Sequence, residues 1–111
     1  MSYELSILTP QGQCFGGQVE SLVAPGLTGS FGVLAHHAPM VSALQLGVVK
    51  VAASDGNALF FVIGGGIAEV SADGVTLLAD SAEPAANPAE AQARLDLLRG
   101  NAQPPPAAAK G

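Results

Sequence analysis

The chain up to residue 80 consists of short apolar runs separated by turn-forming residues. The runs are rich in Val, Ile, Leu and Phe, and the breaks between them hold Gly, Pro, Asp and Asn. Short apolar runs broken up in this way are typical of antiparallel β-structure. The predicted strands span residues 4–9, 15–23, 32–34, 38–41, 47–53, 58–63, 67–71 and 75–80.

Two of the breaks predict tight hairpins. Asp55-Gly56 separates two apolar runs, and Asp73-Gly74 separates two more. Because glycine adopts positive φ angles without steric cost, Asp-Gly favours the turn that joins two antiparallel strands. We therefore expect the flanking runs to pair at both places.

Residues 59–63 are apolar at every position. A strand with one face in water would alternate between apolar and polar residues, so a continuous apolar run indicates cover on both faces. A two-sheet sandwich or flattened barrel, with a partner on its outer face, fits this pattern, and the partner is a hypothesis at this point. Because aromatic residues make up only 5% of the chain, we expect an aliphatic core.

The composition changes after residue 80. Residues 81–88 are rich in Ala and Pro and read as a linker, and Asn87-Pro88 is a favourable helix start. The helix that follows spans only ~16 Å and is marginal in water on its own, so it needs packing through Leu95 and Leu98. The predicted organisation is a β-sandwich domain (1–80), a linker (81–88), a short C-terminal helix (89–100) and a disordered Pro/Ala tail (101–111).

Charge and hydropathy exclude several classes of function. The formal net charge is −5 with only four Lys and Arg residues, so no basic patch is available for nucleic acid or for an anionic lipid surface. The longest apolar stretch includes three glycines and is shorter than the ~20 residues of a membrane helix, so direct membrane insertion is not expected. The start of the chain lacks the pattern of a signal peptide, and the single thiol, Cys14, excludes an intrachain disulfide.

The residues with catalytic or metal-binding chemistry do not form a site in the sequence. His36 and His37 are adjacent, so in an extended segment they point to opposite faces, and only Cys14 could add a soft ligand. The three glycines at 64–66 precede another strand, which predicts a bulge or a close backbone approach, not a phosphate loop. No Ser lies in a Gly-x-Ser-x-Gly turn. We therefore predict no catalytic, cofactor-binding or metal-binding residues and no small-molecule substrate.

The most distinctive segment covers residues 25–40, where Gly and Pro surround Phe31, Val33 and Leu34. It is either an ordinary loop between strands or a partly apolar protein-binding loop. It also contains a Gly-x-x-Gly-x-Phe/Leu-Gly-Val/Ile-x-x-x-His-Ala-Pro signature, from Gly26 to Pro39. Further blocks with family-like sequence lie at residues 5–10, 15–20, 46–51, 65–70 and 75–80.

With these blocks in order over residues 3–80, the chain resembles the epsilon subunit of bacterial F-type ATP synthases. The resemblance implies a ten-stranded β-sandwich, followed here by a short helix and a tail. It also implies a non-catalytic central-stalk subunit that couples the gamma subunit to the membrane c-ring, peripherally, at the cytoplasmic face of the bacterial inner membrane. The residues implied to meet the c-ring are Thr28, Ser30, Phe31, Val33, His37, Pro39 and Met40.

The sequence departs from the family in two respects. Relatives often carry carboxylates where this chain has Thr28 and Ser30. The family usually continues into a two-helix arm that inhibits ATP hydrolysis, and some members bind ATP through an Ile/Leu-Asp-x-x-Arg-Ala motif, whose charged residues are missing from residues 88–93. We therefore expect neither ATP binding nor inhibition by an arm.

Two other hypotheses stay open at this stage. One is a small cupin-like enzyme or ligand binder that uses His36 or His37, and it needs further metal ligands. The other is a free-standing interaction module with a different client.

Overall fold

The structure is a computed structural model that describes residues 1–36 and 38–100. It contains strands β1 Tyr3–Thr9, β2 Gly12–Gly26, β3 Gly29–Leu34, β4 Met40–Ala53, β5 Ala58–Val70, β6 Gly74–Ala79 and β7 Ala82–Ala85, and helix α1 Pro88–Leu98. Within these described residues no helix has the length and apolar character needed to span a bilayer.

Five strands close into a ring. The pairing order is β1-β6-β5-β4-β2, and β2 pairs back onto β1. The pairs are antiparallel except β1 with β6, which run parallel. β3 extends the sheet from β2, and β7 pairs with β5. The mainly β fold with one short helix is as predicted, and its β domain is a closed five-stranded barrel with two added strands.

The prediction of about ten short strands is wrong, because the described residues form seven strands and some of these are long. The predicted strands 38–41 and 47–53 are not separate, because residues 40–41 and 47–53 belong to the continuous β4 of 14 residues. The predicted strands 58–63 and 67–71 likewise merge into β5, which ends at Val70. The strand continues through the glycines between them: Gly66 has a φ of 144°, and a Cβ on it would collide with the Leu78 carbonyl. The predicted close backbone approach at these glycines is therefore confirmed.

The main core inside the barrel is aliphatic, as the scarcity of aromatic residues predicts. One tilted pair of aromatic rings, Phe15 and Phe61, packs at a centroid distance of 5.5 Å. The largest fully buried side chains of this core are Leu5, Ile7, Leu22, Ile63, Leu77, Val19, Val33, Val49 and Val51.

A second, smaller core lies on the outside of β5. Val62 is buried there against Ala91 and Leu95 of α1, with half-buried residues of β4, β5 and β7 around them. The outer face of residues 59–63 is therefore covered by the chain's own helix, and the partner that we invoked for this face is not needed. Of the two leucines expected to pack, Leu95 is 5% exposed and Leu98 is 51% exposed.

Hydrogen bonds fix the start of α1 on the barrel. The Asn87 side chain accepts from the Glu90 amide at 2.8 Å, and the Glu90 carboxylate accepts from the Ala86 amide at 2.5 Å. The first bond satisfies an amide that the helix start leaves open, and the second ties the preceding residue to the first turn. Arg94 donates to Glu83 of β7 at 2.7 Å, which joins the helix to the sheet.

The segment predicted as a linker, residues 81–88, is structured. Its residues Ala82–Ala85 form β7, which pairs with β5, and Pro88 is already the first residue of α1. The predicted tail, residues 101–111, lies outside the described residues.

Tyr3 fastens β1 to β3. Its hydroxyl donates to the Val33 carbonyl at 2.8 Å, and the residue is buried. Burial raises the pKa of Tyr3 to about 12, because the phenolate form loses its water.

The docked helix generates a stability prediction. We expect Leu95→Ala to lower the free energy of unfolding by about 2–4 kcal/mol, because it empties a packed site between helix and sheet. Leu98→Ala, on the same helix but exposed, should change it by less than about 0.5 kcal/mol. Urea titration followed by circular dichroism measures both. Equal losses for the two variants would show that α1 is not docked in solution.

The Tyr3 bond generates a second prediction. We expect Tyr3→Phe to lower the free energy of unfolding by about 1–2 kcal/mol, because the Val33 carbonyl loses its donor. The folded pKa of Tyr3 lies above the ordinary value near 10, so its stabilisation is complete below pH ~10 and is lost as the pH rises towards 12. Unfolding free energies measured from about pH 8 to 12 should therefore converge for the two proteins. Since Tyr3 is the chain's single tyrosine, a constant difference across this range would contradict the assignment.

Candidate partner interface

Residues 25–40, the segment interpreted as an ordinary or protein-binding loop, contain the end of β2, a hairpin turn, the strand β3 and the connection to β4. Leu27 and Thr28 make the turn between β2 and β3, and residues 35–39 connect β3 to β4. At ~3.4 Å per residue the ends of the six-residue β3 lie about 17 Å apart. Thr28 and Met40 are therefore separated in the chain by a strand, and the predicted site residues do not form one loop.

The hairpin turn is held against β4. The Leu27 amide donates to the Ala43 carbonyl at 3.1 Å, and the Gln45 side chain donates to the Gly26 carbonyl at 2.9 Å. Gly29 has a φ of 134°, a conformation that L side chains rarely adopt, so glycine is needed to start β3. The turn therefore has a fixed position from which its side chains project.

The predicted contact residues differ in accessibility. Thr28 and Ser30 are exposed at the turn, and Pro39 is exposed before β4. Phe31 is half-buried and packs on the core beside Gly26, where a Cβ would come within 3.0 Å of its ring.

Three other members of the predicted set are not exposed in the structure or lie outside it. Val33 is 1% exposed and belongs to the core, so it supports β3 from inside and offers no surface to a partner. Met40 is half-buried against the same core. His37 lies outside the described residues. Its neighbour His36 is exposed, with a φ of 65°.

The titratable groups are dispersed. In the part of the chain that the structure describes, no three His, Cys, Asp or Glu side chains are grouped so as to hold a metal ion. Cys14 is half-buried, and burial raises the pKa of its thiol, which lowers the fraction of reactive thiolate.

A second surface, which the sequence reasoning missed, lies across three strands on the outside of the barrel. Leu78 of β6 pairs with Leu8 of β1 on one side and with Ile67 of β5 on the other. Ile67 is 45% exposed and Leu78 is 42% exposed. We call these three residues the apolar face. They line a groove of about 360 Å³ together with Thr9, Pro10, Gly66, Ala79 and Asp80.

One signal in the sequence could have revealed the apolar face. In β6, Val75, Leu77 and Ala79 point into the core, so Thr76 and Leu78 point outward. A leucine at an outward position breaks the polar alternation expected of a strand with one wet face. Such a break indicates cover by something else, and the chain's own helix covers β5 elsewhere.

The family profile and the sequence relatives that match this chain all belong to one protein family. The profile described as "ATP synthase, Delta/Epsilon chain, beta-sandwich domain" matches residues 2–85. The chain is 41% identical over 86 residues to the ATP synthase epsilon chain of Rhodopseudomonas palustris (strain BisA53), covering 78% of this chain and 63% of that one. It is 43% identical over 79 residues to the ATP synthase epsilon chain of Chlorobaculum tepidum, covering 71% and 90%.

The chain spans about three-fifths of the length of the Rhodopseudomonas relative and of a similar one from Hyphomonas neptunium.

Two solved structures share the fold. A chain of the Euglena gracilis mitochondrial ATP synthase (OSCP/F1/c-ring, rotational state 1) superposes with a TM-score of 0.71 at 24% identity, covering 94% of this chain and 68% of that one. A chain of the Tetrahymena thermophila mitochondrial ATP synthase central stalk and c-ring gives 0.61 at 14% identity, covering 89% and 92%.

Proposed function

Since the chain belongs to the ATP synthase delta/epsilon family through its β-sandwich domain, we propose that it is a non-catalytic central-stalk subunit of an F-type ATP synthase. In this role it couples the gamma subunit to the membrane c-ring during ATP synthesis or hydrolysis and ion translocation. It would act as a peripheral protein at the cytoplasmic face of the bacterial inner membrane. Catalysis would belong to other subunits.

The observation that carries this proposal is the apolar face. Leu8, Ile67 and Leu78 form a row across β1, β6 and β5, and no element of the described chain packs over the resulting groove. Contiguous exposed apolar surface that includes a groove is typical of a protein-binding site. We assign this face to the gamma subunit, since a permanent neighbour in the rotor favours an apolar contact.

A coupling subunit also needs a second surface that is separate from the first. The hairpin turn at Leu27 and Thr28 joins β2 and β3, neither of which contributes to the apolar face. We assign the turn, with Ser30 beside it, to the c-ring. Two surfaces on one closed barrel would transmit torque well, because the barrel cannot shear without breaking strand pairs.

The apolar face gives a direct test of gamma binding. We expect Ile67→Asp to weaken binding to purified gamma subunit by about tenfold or more, because a carboxylate would be buried without a partner. Leu97→Asp is a matched control, since Leu97 is an exposed leucine on α1. Isothermal titration calorimetry measures both affinities, after thermal unfolding has shown that the variants fold. Equal affinity of the Ile67→Asp variant and the parent chain would refute the assignment.

The C-terminal segment generates a prediction about regulation. Within α1, Glu90 caps the helix start and Arg94 pairs with Glu83, so these charged residues are engaged in docking. We expect calorimetry to detect no ATP binding at micromolar affinity. We also expect deletion of residues 87–111 to leave the ATPase rate of the assembled enzyme unchanged, provided that the shortened chain still co-purifies with gamma. A clear rise in that rate would mean that the segment inhibits.

A further inference from the structure

The charged residues of the chain avoid one continuous segment. From residue 21 to residue 49 the sequence contains no Asp, Glu, Lys or Arg, and all nine acidic and four cationic residues lie outside it. Since charged residues make up 12% of the chain, a segment of this length would hold about three on average. The segment covers the last part of β2, all of β3 and most of β4.

The fold turns part of this segment into an exposed strip. In the β2–β3 hairpin Ser21 pairs with Leu34, Val23 with Gly32, and Pro25 with Ser30. The residues that alternate with them along each strand, such as Leu22 and Val33, face the core, so the set faces outward, except that Pro25 is itself buried. We define the uncharged strip as the exposed residues Val23, Leu27, Thr28, Ser30, Gly32 and Leu34.

Two leucines dominate the strip. Leu27 at the turn is 62% exposed, and Leu34 at the other end of β3 is 65% exposed. Between them Gly32 has no side chain, and the space above it is open, since a Cβ at this position would meet only the Leu22 carbonyl, at 3.6 Å. The strip therefore offers apolar contact at both ends and open backbone in the middle.

β3 is also the last strand of its sheet. Among the described strands it pairs only with β2, so its other edge carries backbone N–H and C=O groups free of a strand partner. The Val33 carbonyl is an exception, because it accepts the Tyr3 hydroxyl. Natural edge strands are usually guarded by Lys or other charges, by Pro or by a covering element. β3 contains neither charge nor Pro, which indicates that a partner covers it.

We propose that the uncharged strip is the c-ring contact and that this contact contains no ion pair. Apolar packing on Leu27 and Leu34, and backbone hydrogen bonds along β3, hold a loop of the ring, and the strip itself has no charge to pair with one. The inference rests on the proposed stalk function and adds the chemistry of the contact. Its physical consequence is that attachment to the ring resists salt, because salt screens charges and not apolar contacts.

Two other occupants fit the strip less well. A lipid surface would call for Trp, Tyr, Lys or Arg at the contact, and residues 21–49 contain none of these. A second copy of the chain would need about 800 Å² from each partner for a stable dimer, which is more than a six-residue edge strand offers. The apolar face is assigned to gamma and lies on other strands.

Leu27 provides the sharpest test, because it is exposed in a turn and its replacement leaves the core intact. The complex of the full chain with gamma is bound to purified c-ring in nanodiscs, and retention is measured from about 0.05 to 1 M NaCl. We expect the retention of the parent chain on the c-ring to fall by less than about threefold over this range of NaCl. We expect Leu27→Asp to weaken retention by about tenfold or more, Leu27→Met to preserve it, and the control Leu97→Asp to leave it unchanged. Phe31 is a poorer probe, since it also packs on the core.

The outcomes separate this inference from the proposed function. A steep loss of retention with salt, or full retention of Leu27→Asp, overturns the uncharged contact while the stalk role stands. Equal binding to empty nanodiscs assigns the strip to lipid, and a Leu27-dependent dimer in sedimentation assigns it to a second copy, and either result overturns the inference. If the unmodified chain binds neither gamma nor c-ring, the stalk function itself fails.

Discussion

The structure depends on one constraint, which is that β5 must be shielded from water on both faces. Phe61 and Ile63 point into the barrel, and Val62 between them points outward. A closed barrel shields only the first set. The outward set is shielded by α1. To place the helix there, the chain first runs back along β5 as β7 and then turns at Asn87 into α1. The bonds at Asn87, Glu90 and Arg94 therefore help to keep Val62 buried, because they hold in place the helix that covers it.

Most of the architecture can be predicted from the sequence, and the differences have local causes. The Asp-Gly turns at 55–56 and 73–74 join paired strands, because the turn chemistry there is local. Two predicted strands merge into β5 because glycine in a sequence reads as a break, whereas the strand continues through Gly64 to Gly66. β7 was missed since its sequence, Ala-Glu-Pro-Ala, lacks strand-forming residues, and its pairing with β5 is a tertiary effect.

The accessibility of the candidate contact residues was predicted less completely than the fold. The motif at residues 26–39 locates the hairpin, but a motif does not distinguish exposed residues such as Thr28 from buried ones such as Val33. That distinction follows from strand register, which depends on partners distant in sequence. The apolar face was missed for the same reason: Leu8, Ile67 and Leu78 come from three separate segments and become neighbours only through pairing.

The docked helix also limits what else can bind to the barrel. Any ligand or protein seeking the outer side of β5 at Val62 meets a site already occupied by Ala91 and Leu95. Its binding would be an exchange, in which the apolar contacts of α1 are given up before new ones form, so its net affinity would be lower than the contact area suggests. The helix thus acts as an intramolecular competitor for any other molecule that would bind on this side of the barrel.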